Sequence, residues 1–399
     1  MSGRVTTDAA RKPFAAIAGL GFSELARTEI GTPRDLAIDA IVAATAECGL
    51  KLSDVDGLML SCSPSAPLNT LPLRLREDLG MSELNLLGNL QIEGASVVAS
   101  IQHASLQIHH GLADVVACVF ADVPLRPGRE TGSASYNRVM PLSGLGDWED
   151  AYGLFGAAGP YAIAAQRYLH KYNLPDNALG HYAVACRDWA RNSTRSMLRA
   201  PIDLATYAES KFVAKPFRVL DCAYPVNGAI AVILTSPARA RDLAQPPVYL
   251  HAFGQGHTGG GNLAGREPEL QSGGLAARNL WRTSGIDPQQ IEMVQAYDAF
   301  SYVGVITLEE YGLVERGQAT DFIADGQTSP GGRLPMNTGG GHLSGFYLQG
   351  MTPVSEAVIQ GRGQGDDAQS TRNNLILVTG SGGRLEYHAA MLASPHEVL

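Results

Sequence analysis

The spacing of apolar positions along this chain occurs twice. Thr32-Pro33-Arg34-Asp35 announces a helix, because Thr32 can cap the first turn and Pro33 suits the first helical position. Leu36, Ala40, Ala43 and Ala44 then form a small-residue stripe at helical period, and Gly49 ends it. A more polar link, Leu50 to Asp56, leads into the strand-like Gly57-Leu58-Met59-Leu60. The same order returns from Gly274 through Leu280 to Gly285, followed by Ile286 to Glu292 and the strand Met293-Val294-Gln295-Ala296. Gly49, Val55 and Asp56 thus correspond to Gly285, Ile291 and Glu292. Each copy continues with a glycine-marked turn, a long helix and another strand, Gly94 to Phe120 in the first and Gly345 to Val378 in the second. The pattern predicts a duplicated α/β unit with helices packed on sheets.

Between the copies lies Pro124 to about Pro216, rich in Gly, Tyr and Ala, with the run Gly153-Leu154-Phe155-Gly156-Ala157-Ala158-Gly159-Pro160-Tyr161. The first half resumes and closes with the strand-like Asn227-Gly228-Ala229-Ile230-Ala231-Val232-Ile233-Leu234. These marks divide the chain into a first half (1–123 with 217–240), an insertion (124–216) and a second half (241–399). Long insertions serve function more often than decoration or oligomer contacts, and both readings stand for this one.

Composition narrows the class. With 399 residues at 45% hydrophobic content the chain can bury a sizeable core, and its length suggests two or three domains. A net charge of -9 without any Lys/Arg run argues against nucleic acid or an anionic membrane as partner. Arg187, Arg191, Arg195 and Arg199 recur at helical spacing, either as a local patch for a CoA phosphate or as a solvated helix face. The cysteines, Cys48, Cys62, Cys118, Cys186 and Cys222, show neither metal-ligand nor redox spacing and suit a reducing compartment. Met1 to Phe14 carries no apolar leader core, and no segment reaches the ~18 uninterrupted apolar residues of a membrane span, so a cytoplasmic protein is expected.

Two motifs carry the chemistry. One is Ala296-Tyr297-Asp298-Ala299-Phe300; the other is Asn337-Thr338-Gly339-Gly340-Gly341 followed by Phe346-Tyr347-Leu348-Gln349-Gly350. They resemble the thiolase superfamily, in which one segment reads Asn-Glu-Ala-Phe or His-Asp-Cys-Phe and a later one Asn-x-x-Gly-Gly, then Gly-His-Pro-x-Gly. Tyr297 replaces the Asn/His and Tyr347 the His. The thiolase nucleophile is a cysteine opening a helix that ends at a Gly-x-Ala-Asp turn. That turn reads Gly111-Leu112-Ala113-Asp114 here, and counting back the usual helix length reaches Gly94 in Glu93-Gly94-Ala95-Ser96. The second family cysteine, in a Cys-x-Gly-Gly-Gly turn, corresponds to Thr379 in Thr379-Gly380-Ser381-Gly382-Gly383. Neither position can form a thiolate, so no acyl-enzyme is expected. Asn227 stands at the Asp of the thiolase Asp-Gly-Ala-Ala strand.

The resemblance narrows to the lipid-transfer-protein-type (SCP-x thiolase-like) steroid side-chain-cleaving aldolases, which lack the cysteine and carry tyrosines in both motifs. It implies a five-layer α-β-α-β-α thiolase-like fold in which the insertion is a loop domain covering the site and helping to bind CoA. It also implies retro-aldol cleavage of a 17-hydroxy steroid C22-CoA ester to a 17-ketosteroid and propionyl-CoA. No prosthetic cofactor and no metal are expected, since the substrate carries the CoA. The implied assembly is a homodimer with two copies of a small zinc-ribbon/OB-fold partner, an α2β2 complex.

Retro-aldol cleavage needs a base for the hydroxyl proton and an acid for Cα, and two tyrosines suffice if the local field lowers one phenol's pKa. Unaided, ionising a tyrosine at pH 7 costs about 4 kcal/mol. Against this reading, Tyr297 can cap a buried strand end and Tyr347 can be a core aromatic beside Phe346; their joint placement in both motifs favours catalysis. Asp298, His342 and Asn337 are supporting candidates; His342 either polarises a thioester or fills a loop. Gly340, Gly341 and Gly382 are the candidate positions of close substrate approach, and Gly339 to Gly341 also suit tight turning. Gly259-Gly260-Gly261, after His257 and Thr258, reads as a flexible turn, while His103, His109 and His110 fall at or near a helix end. Two competing functions are a cysteine-independent acyltransferase or condensing enzyme and a noncatalytic scaffold or lipid carrier.

Overall fold

The computed structural model describes residues 12–61, 63–65, 71–128, 151–154, 156–258, 272–383 and 385–399. Cys62, Phe155, Gly259-Gly260-Gly261 and residues 129–150 of the insertion lie outside these. The first half contains β1 (Ala15–Phe22), α1 (Pro33–Glu47), β2 (Gly57–Ser61), α2 (Leu71–Asp78), β3 (Leu86–Leu90), α3 (Ser96–His109) and β4 (Val115–Asp122). The insertion carries α4 (Ala158–Lys171), α5 (Gly180–Asn192) and β5 (Phe212–Ala214), which pairs as a hairpin with β6 (Phe217–Arg218) just past its end. Then come β7 (Gly228–Thr235), β8 (Val248–His257), α6 (Gly273–Ser284), β9 (Met293–Gln295), α7 (Ser301–Glu310), α8 (Met351–Gly361), β10 (Ile376–Gly382) and β11 (Tyr387–Ser394).

Strand order shows the duplication directly. Among the described residues one mixed sheet runs β3-β2-β4-β7-β1-β8-β11-β10-β9. Read outward from its middle, β1-β7-β4-β2 and β8-β11-β10-β9 are the same sequence of pairings, with β2–β4 and β9–β10 parallel and the rest antiparallel. The halves join through a short antiparallel contact, Ala15–Ile17 of β1 against Val248–Leu250 of β8. Helices α3 and α8 bury their apolar faces against strands of both halves, whereas α1 packs mainly on the first half and α6 mainly on the second. The layers are therefore α1, the first half-sheet, α3 with α8, the second half-sheet and α6, the α-β-α-β-α order expected.

The small-residue stripe has a physical reason. A Cβ at Gly21 of β1 would stand 2.3 Å from the Ala40 carbonyl oxygen of α1, and one at Gly254 of β8 2.3 Å from the Ala276 oxygen of α6. Helix and strand approach so closely that only glycine fits on the strand and only small residues on the helix. Thr32 and Asp35 form the capping box of α1, with Pro33 at its first position. The repeated acid after each helix also acts alike in both halves. Asp56 accepts from the Asp114 and Val115 N–H groups ahead of β4, and Glu292 from the Asn374 N–H ahead of β10.

The four arginines do not form one face. Helix α5 ends at Asn192, so Arg195 and Arg199 lie beyond it. Arg187 is buried and donates to Ser344 Oγ at 2.9 Å and to the Ala200 carbonyl at 2.8 Å, while Arg195 faces Glu356 at 3.7 Å. Two of the four are thus tied into the protein, so the four do not share one solvated helix face. His109 closes α3, as its position suggested, with His110 as the C-cap.

Candidate active site

Both chemical motifs are connecting segments at the ends of second-half elements. Tyr297 and Asp298 follow β9 and precede α7; the loop from Asn337 to Gly350 leads into α8. Asn337 sews the two together: its Oδ1 accepts from the Ala296 N–H at 2.7 Å, and its Nδ2 donates to the Ala296 carbonyl at 3.1 Å and to Tyr182 Oη at 2.8 Å. Asp298, fully buried, accepts from the His342 N–H at 2.8 Å and from the Tyr182 hydroxyl at 3.1 Å. His342 closes the circuit. Its Nδ1 accepts from the Asp298 N–H at 3.2 Å and its Nε2 donates to the Gln349 carbonyl at 2.8 Å, which assigns the neutral Nε2–H tautomer.

On this base the two tyrosines meet. Tyr297 Oη and Tyr347 Oη lie 2.9 Å apart, within hydrogen-bond distance. Their rings stand edge to face, and the His342 ring is wedged edge-on against both, at centroid distances of 4.8 and 4.9 Å. Tyr297 is buried and Tyr347 partly open. Burial, then the neighbouring Tyr347, pushes the Tyr297 phenol well above its ordinary value. The expected lowering of a phenol pKa is therefore reversed at Tyr297: the low-dielectric surroundings favour the neutral form.

Burial pushes His342 down to about 3, so it carries no charge near neutrality and forms no ion pair with the Asp298 carboxyl; the hydrogen bond at its Nδ1 is the one from the Asp298 N–H. With both ring nitrogens engaged it cannot also polarise a thioester; it fills and orders the loop. The three glycines face protein instead of open space. A Cβ at Gly341 would meet Asp298 Oδ2 at 2.3 Å, one at Gly340 the Ala190 Cβ at 2.7 Å and one at Gly382 the Gly94 nitrogen at 2.6 Å. Their absent side chains let the loops close on one another, and Gly341, half-buried, also lines a small cavity with Gln295, Asn337 and Glu356.

Burial pushes the Asp298 carboxyl up to about 7, opposed by hydrogen bonds from His342, Asn337, Tyr182 and Cys186. A folded-state value above the ordinary 3.8 means that the fold prefers protonated Asp298. This contribution to stability is complete below about pH 4 and is lost as pH rises through about 7. In thermal unfolding, the midpoint of the wild type minus that of Asp298→Asn should fall across that interval and level off above it. A difference independent of pH would show that Asp298 does not titrate in this way.

The nucleophile position is occupied by something else. Gly94 lies in the turn Glu93–Ala95 that opens α3, where a Cβ would stand 2.5 Å from Tyr297 Cζ and 1.9 Å from the Ser381 carbonyl oxygen. Tyr297 has taken the space of a side chain at Gly94. Thr379 lies in β10, not in a turn, and its Oγ1 accepts from the Tyr297 N–H at 3.3 Å. Cys186 of α5 has its sulfur 3.8 Å from Asp298 Oδ2, and burial pushes its thiol well up, away from thiolate.

Several site residues were not legible in the motifs. Tyr182 of α5 bridges Asp298 and Asn337, and Tyr161 of α4 packs on Phe300 at a centroid distance of 5.1 Å. Both come from the insertion, where no local pattern separates them from the other tyrosines of the chain. Cys222 to Asn227, running into β7, touches both motif loops through its backbone.

A thiolase-like double α/β fold whose nucleophile position is glycine and whose two motifs converge on a tyrosine pair defines a member of the thiolase superfamily without the nucleophilic cysteine. The chain belongs to the thiolase-like steroid side-chain-cleaving aldolases, a family of carbon–carbon lyases. It is 33% identical to the 17-hydroxy-3-oxo-4-pregnene-20-carboxyl-CoA lyase of Mycobacterium tuberculosis over 92% of this chain and 96% of that protein. It is 32% identical to a steroid side-chain-cleaving aldolase of Thermomonospora curvata, over 92% of this chain and 95% of that one. The solved Ltp2-ChsH2(DUF35) aldolase superposes with a TM-score of 0.86 at 30% identity, covering 97% of this chain and all of that one. A profile described as thiolase C-terminal domain-like matches residues 262–394. Among the described residues no helix is long and apolar enough to cross a membrane, and no cluster of His, Cys, Asp and Glu is arranged for a metal.

Proposed function

We propose that this chain performs retro-aldol cleavage of a β-hydroxyacyl-CoA, a 17-hydroxy steroid C22-CoA ester, yielding a 17-ketosteroid and propionyl-CoA, with Tyr297 and Tyr347 as the proton-transfer pair. The observation that carries the reading is the 2.9 Å contact between two phenols at the point where both motifs meet. Reactions named for the two relatives supply the substrate class.

A hydrogen-bonded neutral pair removes the need for a phenolate. The substrate's hydroxyl proton passes to the first phenol oxygen as that phenol's own proton crosses to the second, whose proton goes to Cα. The O–H electron pair becomes the second bond of the ketone, and the breaking Cα–Cβ pair is captured as the new Cα–H bond. Charge is conserved throughout, so the raised Tyr297 phenol is compatible with turnover near neutral pH. The relay runs equally well with either tyrosine facing the hydroxyl. Asp298, Asn337 and His342 act by holding the two loops in register.

In this reading the insertion, 124–216, covers the site and helps to bind the CoA thioester. The halves 1–123 with 217–240 and 241–399 form a homodimer core in the cytoplasm, to which two copies of a small zinc-ribbon/OB-fold partner attach. The partner's motive is the DUF35 component named in the related aldolase structure. The test is incubation of the purified chain, with and without such a partner, with the steroid CoA ester. Ketone plus propionyl-CoA is expected. Acyl transfer to an added acceptor would replace the proposal with a condensing enzyme, and binding without turnover, with the partner present, would replace it with a scaffold.

A further inference from the structure

The segment Cys222 to Asn227 touches both loops that carry the tyrosines. The Ala223 N–H donates to the Ala299 carbonyl at 2.9 Å, in the loop that carries Tyr297. The Tyr224 N–H donates to the His342 carbonyl at 2.8 Å, and the Tyr224 carbonyl accepts from the Tyr347 N–H at 2.9 Å. Bridges Cys222–Phe300 and Pro225–Tyr347 flank these bonds. One short backbone stretch therefore fixes the relative height of the two loops, and with it the distance between the hydroxyls.

What holds that stretch in turn comes from the far end of the chain. Arg27, just beyond β1, lays its guanidinium over the Tyr224 ring, 4.2 Å from the centroid, and donates from Nη1 to the Pro225 carbonyl at 2.8 Å. Ala26 bridges Asn227 beside it through a pair of backbone bonds at 3.0 and 2.8 Å. The backbone bridge fixes only one end of the segment, at Asn227. The arginine grips the middle, at the residue whose N–H and carbonyl are bonded to the Tyr347 loop. A planar guanidinium does both jobs at once, covering a ring face and donating in its own plane.

We infer that Arg27 is a positioning residue for the tyrosine pair: by clamping Tyr224 and Pro225 it sets the register of the segment that holds both catalytic loops. The inference rests on the proposed tyrosine chemistry for its effect on rate, but not for its effect on the loops. Losing Arg27 removes the clamp on Tyr224 and Pro225 and leaves both phenols present with their spacing unsettled. Misplacement of about 1 Å is enough to cost up to ~100-fold in rate.

The test compares Arg27→Ala, Tyr224→Leu and Tyr224→Phe with the wild type. Arg27→Ala and Tyr224→Leu are expected to lower kcat by about tenfold or more, with KM within about twofold. Tyr224→Phe keeps the ring face and should retain most of the rate that Tyr224→Leu loses. Amide hydrogen exchange, read on peptides spanning 222–227 and 342–350, should quicken in Arg27→Ala while the strands of the core stay protected. Unchanged exchange in those peptides would overturn the latch whether or not the chain cleaves the steroid ester. So would a full kcat in Arg27→Ala, or a global loss of protection in step with the loss of rate. Altered exchange with an inactive wild type would leave the latch standing and sink only the chemistry.

Discussion

Tyr347→Phe should lower turnover of the steroid CoA ester by at least ~100-fold while the protein stays folded, since a positioned acid/base group typically contributes about 10²–10⁴-fold. The substitution removes one oxygen. The ring remains, with its edge-on contact to His342, and so does the backbone bond to Tyr224. In a relay of two neutral phenols the loss of either oxygen breaks the path between the substrate hydroxyl and Cα, so Tyr297→Phe should show the same class of defect. Stability separates the two variants. Tyr347→Phe strands the buried Tyr297 hydroxyl, at a cost of about 1–3 kcal/mol if no water reaches it, whereas Tyr297→Phe leaves a partly open Tyr347 that water can satisfy. The checks are kcat at saturating substrate and the unfolding midpoint of each variant. Near-normal kcat in Tyr347→Phe would remove it from the mechanism. A variant that still exchanges the Cα proton of propionyl-CoA with solvent but does not cleave would place the missing tyrosine on the hydroxyl side.

The parts of the molecule that could be read beforehand are those governed by local rules. The capping box at Thr32 and the αL glycine at Gly285 are written within a few residues of where they act, so helix ends and the duplication were visible. Tyr297 and Tyr347 stand out because each lies in a motif with a fixed frame around it. Electrostatics was not legible, because burial is a tertiary property. Nothing in Tyr297-Asp298-Ala299-Phe300 says that the phenol's pKa would be raised rather than lowered, and nothing near His342 says that both its nitrogens are engaged. Helical spacing misled at Arg187, Arg191, Arg195 and Arg199, because the helix stops after the second of them and the remaining spacing is that of a loop. Tyr182, Tyr161 and Arg27 reach the site over long sequence separations, 155 residues in the case of Tyr182 and Asn337, where no periodicity connects them.

Gly94→Ala should be as damaging as losing a tyrosine, and Gly94→Cys should not create a thiolase. The new Cβ would fall 1.9 Å from the Ser381 carbonyl oxygen and 2.5 Å from Tyr297 Cζ, separations that real Cβ atoms do not tolerate. The Ser381 carbonyl belongs to β10, a buried strand paired with β11 along its whole length, and yields little. The Tyr297 ring is the softer neighbour, and moving it breaks the contact with Tyr347. Overpacking of this kind typically costs about 1–3 kcal/mol in stability. The loss in kcat should match that of Tyr297→Phe, ~100-fold or more, because the same hydroxyl leaves its place. A cysteine at this position would have no room to attack a thioester, and would face a buried phenol instead of a group that activates a thiolate. Pairing it with Tyr297→Asn removes the ring but not the Ser381 carbonyl, so Gly94→Cys and the double variant should both lack aldolase and thiolysis activity. Full aldolase activity in Gly94→Ala would show that the Tyr297 ring can leave its observed position without cost, and would separate cleavage from the phenol pair.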